Sequence, residues 1–299
     1  MSLSRDLSET ITAEGNGVPS PGEPQPPLGL RPLLDSPRLE LLPLKSLEGA
    51  ASEAPPGATL TVTCSPKKGI DATLRAAETL AARGFRVVPH LAARMVRDEG
   101  HLSEIVAAAA RMGITDAFIP GGDAKRPAGI YTSSLELLQA LDHHGHPFEQ
   151  LGVAGYPEGH WLLSEAALHD ELRAKQRYAT YLVTQMCFSG ESLVAYLARL
   201  ETEGVHLPVY AGIAGALDRI KLATIGVKIG IGQSLRFLKH QGGGIGNLFG
   251  AGDYEPTELL EEVVSQATTP TRLRGLHIYT FNQVAKTEAW RRELLGRLS

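Results

Sequence analysis

The sequence predicts a single-domain α/β protein, a closed (β/α)8 barrel of the TIM type. Short apolar segments rich in β-branched residues alternate with helical patterns, which is typical of βαβ units and a parallel sheet. There are eight such segments, the number that closes a barrel, and residues 38–299 come close to the roughly 250 residues that a barrel needs. An open doubly wound sheet is the alternative. The turn after the first strand, however, lacks the glycine-rich fingerprint of that fold.

The predicted strands are short and evenly spaced along the chain. They span residues 38–42, 59–63, 86–91, 116–120, 151–155, 181–185, 208–212 and 276–280. Helical patterns lie between them at residues 72–83, 102–112, 133–142, 164–177, 190–203 and 257–266. In a barrel of such units the carboxyl ends of all strands open on one face, where barrel enzymes carry out their chemistry. Residues at strand ends are therefore the first candidates for a functional site.

Residues 1–37 are rich in proline and glycine and lack a sustained apolar period. The segment 19–27 contains too many prolines to donate the backbone hydrogen bonds of regular structure. We therefore predict a flexible N-terminal arm at residues 1–37 and a catalytic barrel at residues 38–299. The arm could dock on a partner subunit, so the sequence is compatible with a homo-oligomer.

Composition narrows the functional class. A net charge of −4 and a pI near 6.2, without a basic stripe, argue against nucleic-acid binding. The apolar runs are too short to span a bilayer, and the N-terminus lacks the basic and apolar sections of a secretory signal. Cys64 and Cys187 form no CxxC pair and have no metal-type spacing with histidine. These features predict a cytoplasmic protein with two reduced thiols and no bound metal.

Glu40 lies near the end of the first predicted strand, between Leu39 and Leu41. Because successive side chains of a strand alternate between two faces, Glu40 should point into the barrel. A carboxyl group in such a place tends to have a raised pKa and can donate a proton near neutral pH. The structural alternative is an ion pair with Lys45 or another cation.

Other strand ends carry polar residues that have both a functional and a structural interpretation. Asp123 follows two glycines, where backbone can approach a ligand, but aspartate is also a good helix cap. Gln185 ends an apolar strand, where a buried amide needs partners and could match the edge of a heterocycle. His90 could equally be a satisfied core histidine. Glu158 and His160 could form a metal pair, but no third ligand is identifiable.

A glycine-rich segment at residues 226–252 lies between the seventh and eighth predicted strands. It fits neither GxGxxG nor GxxxxGK[ST], the patterns of dinucleotide-binding sites and P-loops. A mobile loop over the barrel mouth, which could act as a lid, is favoured over a phosphate cradle.

Taken together, the strand ends resemble the bacterial type of the methylenetetrahydrofolate reductase family. Residues 39–45 resemble the family's FEFFPPK, residues 156–160 its YPExH and residues 184–188 its TQFFF. Shorter matches are VT at 62–63, PHL at 89–91, the GD of LRGD at 122–123, PGI at 212–213 and HFYTLN at 277–282. Each piece is short, but all of them occur in order and on the expected strands.

The resemblance implies a barrel that reduces 5,10-methylenetetrahydrofolate to 5-methyltetrahydrofolate with electrons from NADH or NADPH, normally through bound FAD. It implies that Glu40 is the general acid that helps to open the five-membered ring to an iminium cation. Asp123 would lie near the pterin and stabilise that cation. The substrate-binding residues implied in the same way are Gln185, Thr63 and Tyr279. The implied cofactor-binding residues are His90, Gly122, Tyr156, His160 and Gln176.

Three departures from the family pattern weaken the FAD site. Gly121 occupies the position of the arginine in LRGD, which helps to hold the FAD phosphates. Residues 176–179 replace the DAGA segment, another flavin contact, and residues 217–220 lack the aromatic residue expected after PGI. We therefore hypothesise that hydride passes directly from the nicotinamide to folate, without flavin. Arg177 or Lys175 could replace the missing arginine, so an ordinary FAD-dependent reductase is the first alternative.

Two further classes remain open at this point. A pterin-dependent methyltransferase would need an acceptor site or a cobalamin or zinc partner, and the sequence offers no clear zinc ligand set. A non-catalytic folate-binding protein would have no need to retain Glu40, Asp123 and Gln185 together. NADH and NADPH are not distinguished, because no ribose-discriminating motif is legible.

Overall fold

Eight parallel strands form one sheet that curves into the predicted (β/α)8 barrel. The computed structural model describes residues 29–160, 163–219, 222, 253–266 and 272–298. The barrel strands are β1 (Arg38–Leu41), β2 (Thr59–Val62), β3 (Arg86–Pro89), β4 (Asp116–Phe118), β5 (Gln150–Gly155), β6 (Tyr181–Thr184), β7 (Val209–Ala214) and β10 (Leu273–Tyr279). Their order in the sheet is β3-β2-β1-β10-β7-β6-β5-β4. This is the chain order of a barrel, and the predicted fold class is confirmed.

The barrel closes between β3 and β4. His90, just after β3, forms an isolated parallel bridge with Phe118, and the backbone N–H of Leu91 donates to the carbonyl of Phe118 at 2.8 Å. Two short strands, β8 (Leu217–Asp218) and β9 (Asp253–Tyr254), pair antiparallel as a separate sheet. The predicted lid, residues 226–252, lies outside the described residues.

Helices follow the strands along the chain. They are α1 (Leu30–Asp35), α2 (Leu47–Ser52), α3 (Gly69–Ala81), α4 (Glu99–Arg111), α5 (Ser134–His144), α6 (Glu165–Lys175), α7 (Gly190–Thr202), α8 (Thr257–Gln266) and α9 (Val284–Arg297), with a 3-10 turn at Ala93–Met95. The side chains of Asp98, Ser133, Ser164 and Ser189 accept hydrogen bonds from backbone N–H groups in the first turns of α4 to α7. Such caps satisfy donors that a helix leaves free at its start.

Alternation along the strands separates two environments. Leu39 and Leu41 of β1 belong to the large apolar cluster that the strands share with the helices. Arg38 and Glu40, at the alternate positions, are also buried. They lie on the other face of the strand, inside the barrel. A smaller cluster that includes Val88, Phe118, Tyr181 and Val183 fills part of this interior.

The six helices predicted from periodicity are confirmed, but α1, α2 and α9 were not predicted. The prediction of irregular structure up to residue 37 is wrong for α1, where Leu33 and Leu34 are buried. The guanidinium of Arg291 on α9 donates to the carbonyl of Leu34 at 2.8 Å, and this contact holds α1 against the barrel. The earlier part of the predicted arm, residues 1–28, lies outside the described residues. Within the described ranges, no helix has both the length and the apolar character needed to cross a membrane.

Candidate active site

Glu40 lies inside the barrel, as predicted, and its neighbours are two histidines. Oε2 of Glu40 lies 3.0 Å from Nε2 of His277 on β10 and 3.8 Å from Nε2 of His90 after β3. All three side chains are buried. Lys45, the cation considered as a structural partner, is exposed in the loop after β1 and makes no ion pair with Glu40.

Burial favours the neutral form of each of the three groups, so it raises the pKa of the acid and lowers the pKa of each histidine. Burial raises the pKa of Glu40 to about 7, and the nearby charge of His90 opposes this shift. The pKa of His90 falls to about 4, mainly through burial, with Glu40 raising it and His277 lowering it. Burial and then the charge of Arg38 lower the pKa of His277 to about 3. Near neutral pH the histidines are therefore uncharged, and Glu40 is poised to give or take a proton.

The same three residues form a group with metal-ligand chemistry. One ligating atom from each of Glu40, His90 and His277 lies within 4.8 Å of the others. Two histidines and one carboxylate are a known zinc ligand set. Nε2 of His90 and Nδ1 of His277 have no hydrogen-bond partner in the described chain. The absence of a metal stays a prediction from the sequence.

A charged cluster lies next to this group in the barrel interior. Nη1 of Arg38 donates to Oδ2 of Asp116 at 2.8 Å and to the hydroxyl of Tyr181 at 3.2 Å. The guanidinium carbon of Arg38 lies 4.2 Å from the ring centre of Tyr181 and 4.4 Å from that of Tyr210. Arg38, Asp116 and Tyr181 all stand at the first residue of their strands. The cluster therefore fills the end of the barrel away from the mouth.

Four of the other predicted site residues lie near one another toward the mouth. The rings of Tyr156 and His160 are in edge contact, with centroids 4.9 Å apart. Burial, then the charges of Glu171 and Asp123, raise the pKa of Tyr156 to about 12. Burial lowers the pKa of His160, and Asp123 opposes that shift. Burial and then the charges of Glu40, Cys187 and Tyr156 raise the pKa of Tyr279, which lies between this group and the buried acid.

Gln185 and Thr63 are positioned at strand ends as predicted. Gln185 follows β6, is half-buried, and its backbone N–H donates to the carbonyl of Gly155 at 2.7 Å. Thr63 follows β2, and its Oγ1 is buried without a hydrogen-bond partner in the described chain. Asp123, by contrast, is exposed in the loop after β4. The substrate and catalytic roles of these residues stay predictions.

The loop after β4 is fixed by backbone geometry and by one arginine. Gly122 has a φ of +92°, and a Cβ there would lie 3.0 Å from Cβ of Ala92, so glycine is required. Arg94 donates to the carbonyls of Ala124, Lys125 and Thr132. At Gly121 a Cβ would meet nothing within 4 Å.

Gln176 lies apart from the other residues predicted to bind a cofactor, and its role in such a site stays a prediction. Gln176 is the C-terminal cap of α6, and its amide bonds to the backbone of Gly204 and His206 in the loop before β7. That loop belongs to the end of the barrel opposite the mouth, because helices run back from the mouth in this fold. Lys175 pairs with Glu171, and Arg177 stacks on the adjacent Tyr178. Neither cation is therefore placed to replace the arginine missing at Gly121.

Two site residues were missed in the sequence. His277 and Arg38 were passed over, although each lies two positions before a candidate residue, Tyr279 and Glu40 respectively. Alternation along a strand puts such pairs on the same face. That signal could have identified both residues.

The fold and the site define a class: a (β/α)8 barrel with a buried carboxylic acid inside and polar residues at the strand ends. A family model described as methylenetetrahydrofolate reductase matches residues 51–290. The chain therefore belongs to the methylenetetrahydrofolate reductase family, as the resemblance indicated. Glu40 lies ahead of the matched range and His277 lies within it.

Individual similarities are weaker than the family match. Methylenetetrahydrofolate reductase 1 of Schizosaccharomyces pombe is 32% identical over 81 residues, which span 26% of this chain and 13% of that protein. Two Burkholderia cenocepacia structures, provisionally described as a lyase/mutase and a phosphonomutase, are 17% and 11% identical, each with a TM-score of 0.45. They cover 90% of this chain and 83% and 98% of their own. These two likenesses support no conclusion about function.

Proposed function

We propose that this protein reduces 5,10-methylenetetrahydrofolate to 5-methyltetrahydrofolate by direct hydride transfer from NADH or NADPH, with Glu40 as the general acid. Family membership supports the reaction class. The observation that carries the mechanism is the buried carboxyl of Glu40, whose pKa is raised to about 7. Such a group holds a proton at neutral pH and can still release it, as a general acid must.

The steps balance with these participants alone. Glu40 donates its proton to the nitrogen that leaves when the five-membered ring opens, and the other nitrogen forms an iminium cation with the methylene carbon. The dihydronicotinamide then transfers a hydride to that carbon. The products are 5-methyltetrahydrofolate and the oxidised nicotinamide, and Glu40 recovers its proton from solvent. Overall, one proton and one hydride are consumed for each molecule of folate reduced.

The other predicted residues would stabilise the iminium cation or bind the substrate. The carboxylate of Asp123 would stabilise the iminium charge, because a fixed opposite charge is most effective where it develops in the transition state. Gln185, at the end of β6, would pair with the donor–acceptor edge of the pterin. Oγ1 of Thr63, which is buried and has no hydrogen-bond partner within the described ranges, is a further polar group available to a ligand at the mouth.

The flavin that the family normally uses fits this chain poorly. Gly121 stands where the family has a phosphate-facing arginine, and Arg94 has three backbone acceptors of its own. Lys175 and Arg177 lie at the far end of α6. Lys125 and Arg126 are exposed cations in the loop after β4. They leave a FAD-dependent reductase as the second candidate, since they could face a diphosphate.

The first test is an absorption spectrum of the purified protein, followed by NADH or NADPH oxidation with methylenetetrahydrofolate and no added flavin. We expect a colourless protein that turns over. A yellow protein, or turnover only with added FAD, would favour the second candidate. Folate binding without turnover under any of these conditions would support the non-catalytic alternative.

The role of Glu40 is tested by Glu40→Gln, which keeps the shape of the side chain and removes the acid. We expect kcat to fall by about a hundredfold or more, because general acid catalysis typically contributes 10² to 10⁴. The Kd for folate should change little. Glu78→Gln is the matched control, since Glu78 is exposed on α3. Equal losses in the two variants would contradict the assignment.

A further inference from the structure

His277 makes a direct contact with the proposed acid from the neighbouring strand. β1 pairs with β10 in parallel, with Arg38 opposite His277 and Glu40 opposite Tyr279. Nε2 of His277 lies 3.0 Å from Oε2 of Glu40, and the His277 side chain is 1% exposed. Oε1 of Glu40 has no hydrogen bond from the described part of the chain. One carboxyl oxygen is therefore held and the other is available.

The direction of this hydrogen bond follows from charge. His277 is uncharged near neutral pH, because burial and then Arg38 lower its pKa. A neutral imidazole carries one N–H, and an ionised carboxylate can only accept. Whenever Glu40 is charged, Nε2 of His277 must therefore carry the proton and donate it. Nδ1 of His277 has no partner in the described chain, so it remains a bare acceptor.

His90 also neighbours Glu40 but makes no such contact. Its Nε2 lies 3.8 Å from Oε2 of Glu40, which is beyond hydrogen-bond distance, and has no partner among the described residues. Its ring lies edge-on against Phe118, with centroids 4.8 Å apart. The two histidines thus differ: one directs the carboxyl, while the other only packs beside it.

We propose that His277 is a positioning residue, which fixes Oε2 of Glu40 by a hydrogen bond and leaves Oε1 to deliver the proton to the substrate. This inference rests on the proposed function. The hydrogen bond also favours the ionised form of Glu40, so it limits how far burial can raise the pKa of the acid. The neighbouring titratable and charged groups are His90 after β3, Tyr279 on β10, and the cluster of Arg38, Asp116, Tyr181 and Tyr210.

The test compares His277→Phe, which removes the donor, with His277→Gln, whose amide can replace Nε2. In His277→Phe we expect kcat to fall by about tenfold, with KM for folate changed by less than about threefold, since the lost bond acts through Glu40. Because the reaction needs protonated Glu40, the high-pH limb of the rate profile should move up by about one pH unit. His277→Gln should restore most of kcat and should return the high-pH limb most of the way to its wild-type position.

A direct titration keeps the inference independent of turnover. The carboxyl band of Glu40, isolated as the infrared difference from Glu40→Gln, should titrate near pH 7 in the wild type. It should titrate about one unit higher in His277→Phe. Glu78→Gln is the matched control and should leave the midpoint unchanged, because Glu78 is exposed on α3. An unchanged midpoint in folded His277→Phe would overturn the proposal.

If His277→Phe does not fold, nitrogen NMR of the wild type tests the same hydrogen bond. We expect the shifts of His277 to show a proton on Nε2 and none on Nδ1 while Glu40 is ionised. The opposite tautomer would overturn the proposal. If the wild type shows no reductase activity but these titrations behave as expected, the contact stands and the proposed function fails.

Discussion

At the scale of single residues, the feature with the largest consequences is the burial of Glu40. An isolated charged carboxylate in the barrel interior is unfavourable. Among the residues that the structure describes, only His277 hydrogen-bonds to the side chain of Glu40. The fold therefore prefers the protonated form, and this preference is what a general acid needs. Once the proton is lost, the buried charge of Glu40 lowers the stability of the folded protein.

The raised pKa of Glu40 predicts a pH-dependent effect of Glu40→Gln on stability. The pKa of Glu40 is about 7 in the folded protein against a reference of 4.5. The folded state binds the proton more tightly, so the contribution of Glu40 to the free energy of unfolding is full below pH 4.5 and is lost as pH rises through 7. Glutamine does not titrate. Relative to wild type, Glu40→Gln should gain about 3 kcal/mol between these pH values.

Urea unfolding of both proteins across that pH range measures the difference. The two buried histidines have lowered pKa values, so their contribution is lost as pH falls. The difference between the two proteins therefore reports Glu40 together with its interaction with His90. A difference that stays constant with pH would mean that Glu40 is solvated in the folded state.

At the scale of elements, the loop between β4 and α5 is held in place by hydrogen bonds of its backbone and of Arg94. Backbone N–H groups of Ala128 and Ile130 donate to the carbonyls of Arg94 and Arg97, and the side chain of Arg94 returns three hydrogen bonds to the loop. The loop is thereby tied to the turn after β3. Gly121 sits at its start with open space where a side chain would be.

This space predicts the effect of restoring the family's arginine. Gly121→Arg should fold normally, because its Cβ meets nothing within 4 Å. It should also raise the affinity for FAD by about tenfold, since a charge-assisted hydrogen bond contributes about 1.5–3 kcal/mol. Gly121→Gln, of similar length without the charge, is the control. Fluorescence titration with FAD gives the dissociation constants of the two variants. Equal dissociation constants would show that the loop does not face the flavin phosphates.

At the scale of the whole molecule, the Arg38–Asp116 pair ties β1 to β4 across the barrel interior. The two strands are not neighbours in the sheet, so this contact links separated parts of the ring. Tyr181 on β6 joins the same cluster by donating to Oδ1 of Asp116 at 2.8 Å. A buried charge in such a network depends on its partners.

Removing one partner should therefore destabilise the barrel. Arg38→Met leaves the partly buried Asp116 with only the hydroxyl of Tyr181 as a hydrogen-bond partner among the described residues. We expect a loss of about 3 kcal/mol in the free energy of unfolding near neutral pH. Arg38→Met combined with Asp116→Leu should recover most of that loss, because no unpaired charge remains. Urea unfolding of the single and the double variant measures both free energies. A single variant as stable as wild type would show that water solvates Asp116.

Most of the barrel could be predicted from the sequence, and the reasons are local. Each strand is a short, mostly apolar run, and most runs have a polar residue at or just after their end. Helices α3 to α8 show helical periodicity. The short helices α1 and α2 escaped prediction because a helix of about six residues has too few turns to show a period. For α9 the buried face includes Glu288 and Arg291, so polar residues interrupt the apolar pattern. Their ion pair, with Nη2 of Arg291 2.7 Å from Oε2 of Glu288, lies within the helix. What makes this face buried is tertiary, as in the contact of Arg291 with the carbonyl of Leu34.

The sequence by itself determined the fold class, the family and the inward direction of Glu40, because alternation and strand-end motifs depend on neighbours along the chain. Only the tertiary structure decided which groups meet Glu40. His277 is 237 positions away along the chain, and burial, which sets the protonation of all three groups, depends on every strand of the barrel. The same reason applies to the placement of Gln176. Its position relative to the mouth is fixed by the direction of α6 in space, which a motif comparison does not contain.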